Sequence, residues 1–205
     1  MSETKKHWEN VYRTKSPQEV SWYQQEPALS LSLITAAELP PDAAIIDVGG
    51  GSSLVVDRLS DEGYTNVSVL DISAGALAHA KHRLGAKAGA VHWYEEDVTR
   101  FKPPHRFLLW HDRAVFHFLT ARVDRERYVD VLKQALAPRG HIIIMTFAID
   151  GPRKCSGLDI VQYDARKLAA ELGPGFELIE EGHEVHLTPA GSEQRFAYFH
   201  FVKTT

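Results

Sequence analysis

Short apolar runs alternate with segments of helical spacing along most of the chain. Five runs lack helical spacing and have the length of buried strands: the run that ends at Val48, and residues 67–71, 90–94, 106–110 and 141–148. Helical spacing with caps and stops predicts helices over residues 28–38, 52–60, 74–84, 122–136 and 163–172. Strands that alternate with helices in this way predict an α/β fold with a doubly wound, mostly parallel sheet.

The two ends of the chain depart from this alternation. Residues 3–13 predict a short helix with Trp8 and Tyr12 on one face, and residues 14–27 read as a loop or lid that contains Trp22. Residues 176–187 and 195–202 predict two successive strands, which favours an antiparallel hairpin at the C-terminus. The prediction is one Rossmann-like domain over 1–205 with seven strands: an aromatic lid segment over 1–27 and a core over 28–205.

Composition narrows the function classes. A length of 205 residues suits one α/β domain, and the net charge of −4 without a long basic run gives no support for nucleic acid as a partner. The eleven histidines lack paired metal-ligand spacing, so no metal site is predicted. The single Cys155 excludes an internal disulfide and is compatible with a reducing compartment. Without an apolar leader or a membrane-length apolar run, a cytoplasmic protein is expected.

The stretch AAIIDVGGGSS joins the first predicted strand to the following helix. Its three glycines allow a sharp turn and bring backbone N–H groups close to a ligand. A helix that begins at Ser52 would point its N-terminus into the turn and favour polar or anionic groups there. The combination predicts a nucleotide-type cofactor site.

Three acids, Asp47, Asp71 and Asp97, follow the ends of three consecutive strands, so a parallel sheet would bring them to one edge. Asp71 lies 22 positions after Gly49, a spacing at which an acid meets a ribose diol in dinucleotide folds. A carboxylate suits a diol because its two oxygens accept two hydroxyl hydrogen bonds. Residues 52–54 hold no third glycine, which disfavours the close approach that the pyrophosphate of NAD needs.

The motifs IIDVGGGSS, VLDIS and EEDVTRF, with the order of strands and helices, make residues 28–202 similar to the class I S-adenosylmethionine (SAM) dependent methyltransferases. In that family the glycine turn lies against the methionine part of SAM, the acid after the second strand binds the ribose, and an acid with an apolar neighbour meets the adenine. The resemblance assigns these roles to Asp47, Gly49 and Gly51, to Asp71 with Ile72, and to Asp97 with Val98. Gly50 fills a variable position of the motif, and Ser53 replaces its last glycine.

A finer resemblance rests on HWENVY, VSWY and LLWHDRAVFHFL. These stretches are similar to the subgroup of thiopurine methyltransferase, the tellurite-resistance methyltransferases and small lysine methyltransferases of elongation factors. The resemblance implies a cofactor role for the aromatic residues Trp8, Tyr12 and Trp22, and places Asp112 and Arg113 beside the methyl-transfer site. The acceptor stays open between a small thiol, metalloid or amine, which the short chain favours, and a protein lysine.

Three side chains near the fourth strand are candidate general bases: His111, Asp112 and His117. His117 is alternatively a packed core histidine, and Asp112 a partner of Arg113 or of the SAM amino group. Arg113 either orients the SAM carboxylate or attracts an anionic acceptor. Besides a methyltransferase with SAM as cofactor and S-adenosylhomocysteine as product, two other classes remain: a nicotinamide-dependent oxidoreductase and a SAM-binding module without catalysis.

Overall fold

The computed structural model describes residues 2–204 of the chain. Its strands are β1 (Ile45–Val48), β2 (Val67–Asp71), β3 (His92–Glu95), β4 (Phe107–Arg113), β5 (Leu136–Phe147), β6 (Lys154–Cys155), β7 (Leu158–Asp159), β8 (Phe176–Leu187) and β9 (Glu193–Lys203). Its helices are α1 (Glu3–Thr14), α2 (Ala28–Ala36), α3 (Val55–Asp61), α4 (Ala74–Leu84), α5 (Arg122–Ala135) and α6 (Ala165–Leu172).

Seven strands form one sheet in the order β3-β2-β1-β4-β5-β9-β8, and β6 with β7 forms a separate small hairpin. The strands from β3 to β5 are parallel, whereas β9 is antiparallel to both β5 and β8. The α/β fold class, the mostly parallel seven-stranded sheet and the antiparallel C-terminal hairpin are thereby confirmed.

Helices cover both faces of the sheet. One apolar cluster packs α2, α3 and α4 against one face, around Leu33, Val56 and Leu77. The other packs α5 and α6 against the opposite face, around Leu132 and Leu168. Because both faces are covered, β1 and β2 are buried at every position, which explains why they read as continuous apolar runs.

Several element boundaries differ from the sequence prediction. The helix after the glycine turn begins at Val55 and not at Ser52, because Ser53 N–H donates to the Gly50 carbonyl over 2.6 Å and extends the turn. No helix N-terminus therefore points into the glycine turn from Ser52. Strand β4 continues to Arg113, and β5 begins at Leu136, five residues before the predicted start. Residues 150–158, where the sequence predicts neither a helix nor a strand, contain β6.

The N-terminal helix is attached to the core by side chains. Glu9 of α1 accepts hydrogen bonds from the backbone N–H groups of Ala74 (2.7 Å) and Gly75 (3.2 Å), and from the Ser73 hydroxyl (3.2 Å). A carboxylate satisfies the free N–H groups at a helix start and interacts favourably with its dipole. Glu9 thus joins the predicted lid segment to the start of α4. Among the helices of residues 2–204, none is long and apolar enough to cross a membrane.

Candidate active site

The turn after β1 requires glycine at two adjacent positions. Gly49 has a φ of +66°, and a Cβ there would lie 2.0 Å from Val115 Cγ2. At Gly50, a Cβ would lie 2.5 Å from Asp47 Oδ2 and 2.9 Å from Val69 Cγ1. Gly50 therefore keeps the space beside the Asp47 carboxylate open. The resemblance to the methyltransferase motif had placed Gly50 at a variable position, and so did not predict this requirement.

The larger of two cavities encloses about 300 Å³ at the carboxyl ends of the parallel strands. Nine residues with a predicted cofactor role line it: Trp8, Tyr12, Trp22, Gly49, Asp71, Ile72, Asp97, Val98 and Arg113. Ligands of open α/β sheets bind at this edge, outside the carboxyl ends of the strands. The sequence analysis missed several other wall residues, among them Val115, Phe118 and Phe196.

A smaller cavity of about 40 Å³ shares Tyr12, Trp22, Gly49 and Arg113 with the larger one. Asp47 and His111 line only this smaller space. Gly51 lines neither cavity, but a Cβ at this position would lie 2.6 Å from Asp71 Oδ2. With the exception of Gly51, the predicted residues of the glycine turn and of the ends of β1, β2 and β3 therefore line two adjoining cavities.

Asp71, the predicted ribose ligand, is a buried carboxylate that lines the larger cavity. Its Oδ1 accepts a hydrogen bond from Ser73 N–H over 2.8 Å. Burial raises the pKa of its carboxyl from 3.8 to about 7, against that hydrogen bond, and the nearby charges of Asp47 and Glu9 raise it further. At Asp97, Oδ1 accepts from the backbone N–H and the hydroxyl of Thr99, at 2.9 and 2.7 Å.

Aromatic rings from three segments meet over the larger cavity. Trp8 of α1 packs edge-on against Trp22, with ring centroids 5.5 Å apart, and against Phe118 at 5.1 Å. Tyr12 packs against Trp22 at 6.3 Å. Burial raises the Tyr12 pKa, as does the charge of Asp71. Rings in these edge-to-face arrangements stabilise the contact between the N-terminal segment and the core.

Arg113 is a buried cation with free donors. Its Nη1 donates to the Trp22 carbonyl over 3.0 Å, and its Nη2 lies 3.8 Å from Glu184 Oε2, beyond hydrogen-bond distance. Nε and Nη2 have no hydrogen-bond partner within residues 2–204. The guanidinium lies 5.0 Å from the centre of the Phe196 ring, and burial lowers its pKa.

Two of the three candidate bases face away from both cavities. The Asp112 carboxylate accepts hydrogen bonds from Val115 N–H (2.8 Å), Phe116 N–H (3.2 Å) and Tyr128 O–H (2.6 Å), and burial raises its pKa to about 6. His117 is fully buried, and burial with the nearby charge of Arg113 lowers its pKa to about 3. Neither side chain lines either cavity. Their positions are those of structural residues in the core and not of general bases.

Three comparisons place this geometry among known proteins. Residues 45–140 match the family model described as a methyltransferase domain. Human EEF1A lysine methyltransferase 2 is 23% identical over 194 residues, covering 87% of this chain and 76% of that protein. A structure from work on the conversion of a disulfide bond into a thioacetal group during echinomycin biosynthesis is 17% identical, with a TM-score of 0.79, and covers 98% and 91% of the two chains.

A third relative carries the cofactor product. The N-methyltransferase NodS from Bradyrhizobium japonicum WM9, in complex with S-adenosyl-L-homocysteine, is 14% identical and covers both chains completely, with a TM-score of 0.74. The resemblance to the class I SAM-dependent methyltransferases is thus confirmed. Residues 45–140 are thus similar to a methyltransferase domain, and the chain has the fold of known SAM-dependent methyltransferases.

The unpartnered atoms of the site fit the amino acid end of SAM. Asp47 Oδ2 is a buried acceptor without a donor, and Arg113 Nε and Nη2 are buried donors without an acceptor, within the described chain. Both residues line the smaller cavity. An ammonium group satisfies the first and a carboxylate the second, and the α-carbon of SAM carries both. The chemistry of the site therefore agrees with the cofactor of the family.

Proposed function

We propose that this chain transfers the methyl group of SAM to a small-molecule acceptor, a thiol, a metalloid oxyanion or an amine. Asp97 and Val98 would hold the adenine, Asp71 and Ile72 the ribose, and the turn at Gly49 the methionine part. The sulfonium of SAM makes its methyl electrophilic, so the acceptor's lone pair forms the new bond while the carbon–sulfur bond breaks and its electrons stay on sulfur.

The observation that supports a small acceptor is the enclosed end of the larger cavity. Phe196 of β9 and Cys155 of β6 line it and are only 1% and 6% exposed, and Trp22 and Phe118 pack against the same cluster. A compact acceptor can be buried on several sides there, which excludes water and orients its nucleophile.

The protein's contribution is binding and orientation. Arg113 supplies a buried positive charge beside the cavity, which would orient the carboxylate of SAM. Neither Asp112 nor His117 reaches the cavity to take a proton. A neutral amine therefore loses its proton to solvent after transfer, and a thiol arrives as thiolate.

A second candidate acceptor is a protein lysine. Similarity to human EEF1A lysine methyltransferase 2 extends over 87% of this chain and supports it. A lysine side chain is thin enough to enter an enclosed cavity from outside, so the two acceptors differ mainly in what binds the outer surface.

The test is a transfer screen with SAM labelled in its methyl group. Thiols, metalloid oxyanions, small amines and lysate proteins are offered separately, and the labelled product is identified by mass. Labelled small molecules with unlabelled protein support the proposal, and labelled protein lysines alone contradict it. SAM binding without any transfer indicates a binding module, and NAD binding without SAM binding indicates an oxidoreductase.

A matched pair of variants locates the acceptor. Phe196→Leu removes ring atoms at the enclosed end of the cavity, whereas Phe199→Leu removes the same atoms from the buried core of the same strand. We expect Phe196→Leu to change kcat/KM for the acceptor about tenfold with S-adenosylhomocysteine affinity unchanged. Phe199→Leu should lower only stability. If the two variants changed kcat/KM equally, the result would show that the acceptor does not bind at this end of the cavity.

A further inference from the structure

Three buried polar side chains form a continuous chain from α2 to the glycine turn. His111 Nδ1 lies 2.7 Å from Asp47 Oδ1, and His111 Nε2 lies 3.0 Å from Ser30 Oγ. The exposed fractions are 2% for Asp47, 1% for His111 and 1% for Ser30. A polar network this deep in an apolar layer is costly unless its members satisfy each other.

The partners determine which atom carries each hydrogen. An ionised carboxylate only accepts, so His111 Nδ1 carries the proton and donates to Asp47. In a neutral imidazole Nε2 then accepts, and the Ser30 hydroxyl donates to it over 3.0 Å in preference to the weaker acceptor Met145 Sδ at 3.5 Å. The position of the Asp47 side chain is thereby fixed by His111, and that of His111 by Ser30.

One oxygen of Asp47 is left over. Oδ2 is buried and has no donor within residues 2–204, although the other oxygen is bonded to His111. Gly50 leaves room beside it, since a Cβ there would lie 2.5 Å away. Arg113, whose Nε and Nη2 have no hydrogen-bond partner within residues 2–204, also lines the smaller cavity, and Glu184 Oε2 lies 3.8 Å from its Nη2. A cationic donor from a ligand, next to an anionic group, matches this pair.

We propose that Ser30 and His111 are positioning residues for cofactor selection: they hold Asp47 so that Oδ2 recognises the α-ammonium group of SAM. His111 then acts through Asp47 and is not a general base for the acceptor. The inference depends on SAM as the cofactor, which the proposed function shares, and is independent of the acceptor.

The same three residue types occur as a hydrolytic triad, but the geometry excludes that use. The Ser30 hydroxyl is 1% exposed and lines neither cavity, so no substrate reaches it. Its other near neighbour is Met145 Sδ, at 3.5 Å, within the apolar layer. A nucleophile needs access to a reacting carbon, whereas a positioning group does not.

The experiment compares two ligands by calorimetry: S-adenosylhomocysteine and its deamino analogue, in which hydrogen replaces the α-amino group. The protein should prefer S-adenosylhomocysteine by about tenfold or more, as a charge-assisted hydrogen bond contributes on this scale. His111→Leu should weaken S-adenosylhomocysteine about tenfold and leave the analogue within about twofold. Ser30→Ala should have the same selective effect at about threefold, and Ser30→Thr should restore the preference.

Met145→Leu is the matched control: it changes the same buried layer and removes only the weak thioether acceptor 3.5 Å from Ser30 Oγ, while Ser30, His111 and Asp47 all remain. It should leave both affinities unchanged. If His111→Leu lowered the affinity for both ligands equally, His111 would have only a packing role and the proposal would be wrong. Unchanged affinities would also overturn the proposal. If His111→Leu fails to fold, the test rests on the affinities of Ser30→Ala and Ser30→Thr: a preference for S-adenosylhomocysteine that is lost in the first and kept in the second supports the proposal. Absence of methyl transfer to every acceptor would contradict the proposed function and leave this binding result valid.

Discussion

Two buried carboxylates on adjacent strands have opposite surroundings. Asp112 of β4 faces α5, and its oxygens accept from two backbone N–H groups and from the Tyr128 hydroxyl. Asp47 of β1 faces the other side of the sheet, where one oxygen bonds His111 and the other has no donor. The two are 0% and 2% exposed, so burial alone does not distinguish them.

The difference separates a structural carboxylate from a binding one. A buried polar group without a partner costs free energy, so a fold retains it where a ligand supplies the missing partner. Asp47 and Arg113 both have free atoms, and both line the smaller cavity. Both oxygens of Asp112 have donors, and this residue lines neither of the two cavities. We therefore expect Asp112 to control folding and Asp47 to control cofactor binding.

The largest expected effect is on stability. Asp112→Asn replaces one acceptor oxygen by an amide NH₂ that faces donors, and should lower the free energy of unfolding by about 3 kcal/mol. Asp47→Asn should change it by less than about 1 kcal/mol, since the amide oxygen still accepts from His111. Urea unfolding at pH 8, followed by circular dichroism, measures both. Equal losses would erase the distinction between the two carboxylates.

The second effect is on cofactor affinity, where Asp47→Asn should be the more damaging of the same two variants. Asp47→Asn should weaken S-adenosylhomocysteine about thirtyfold, because a charge-assisted hydrogen bond is lost and an NH₂ faces the ligand's ammonium. Folded Asp112→Asn should bind within about threefold of the unchanged protein. Calorimetry on both variants gives the dissociation constants. If Asp112→Asn weakened S-adenosylhomocysteine binding more than Asp47→Asn, the result would indicate that the cofactor binds on the α5 side of the sheet.

The third effect tests the space beside Asp47. Gly50→Ala places a Cβ 2.5 Å from Asp47 Oδ2 and 2.9 Å from Val69 Cγ1. The crowding should cost about 2 kcal/mol in stability and about tenfold in S-adenosylhomocysteine affinity. Gly89→Ala is the control, since a Cβ there meets nothing within 4 Å. Full affinity in Gly50→Ala would show that Oδ2 needs no open space.

The smallest effect is the pH dependence of binding. Burial raises the Asp71 pKa to about 7, and the ribose hydroxyls favour its ionised form. Affinity for S-adenosylhomocysteine should therefore rise up to about tenfold between pH 6 and pH 8 and level off above. Asp71→Asn should flatten the profile, whereas Asp112→Asn should keep it. A profile that persists in Asp71→Asn would assign the titration elsewhere.

The stability of the ligand-free protein should follow the opposite sign. The folded Asp71 carboxyl keeps its proton up to about pH 7, whereas the unfolded one loses it near its ordinary pKa of 3.8. Because the folded state binds more protons between these values, this group's contribution to the free energy of unfolding falls as pH rises from about 4 to about 7. Above pH 7 the contribution is constant. Thermal unfolding across this range, with Asp71→Asn as control, measures it.

Much of the fold was predictable because its signals are local. Apolar runs of strand length, Gly63 after α3 and the Ser73 cap of α4 depend on neighbouring residues, and the structure has strands and helices there. Boundaries were less accurate where tertiary contacts override local preference. The start of α3 moved to Val55 because hydrogen bonds within the glycine turn extend it. Strand β4 continued to Arg113 because β1 pairs with it as far as Asp112 and β5 as far as Arg113.

The cofactor wall was also largely predictable, since its acids and glycines follow strand ends in a repeated order. Nine of its predicted residues line the larger cavity. The base candidates were not separable in sequence, because consecutive residues of a strand point to opposite faces. His111 and Arg113 face α2 and the N-terminal segment, whereas Asp112 between them faces α5. The predicted roles of these residues in catalysis and binding stay predictions until the variants are measured.

The sequence by itself determined the order of elements, the glycine turn and the acids along one edge of a sheet, because each of these features depends on a few adjacent residues. Only the tertiary structure decided which carboxylate oxygen is free, which histidine is isolated in the core and which aromatic rings cover the cavity. The His111 bonds to Asp47 and Ser30 join residues 64 and 81 positions apart, and such contacts leave no periodic trace in the chain. Their chemistry is set by packing, which brings distant groups within hydrogen-bond distance and removes water from around them.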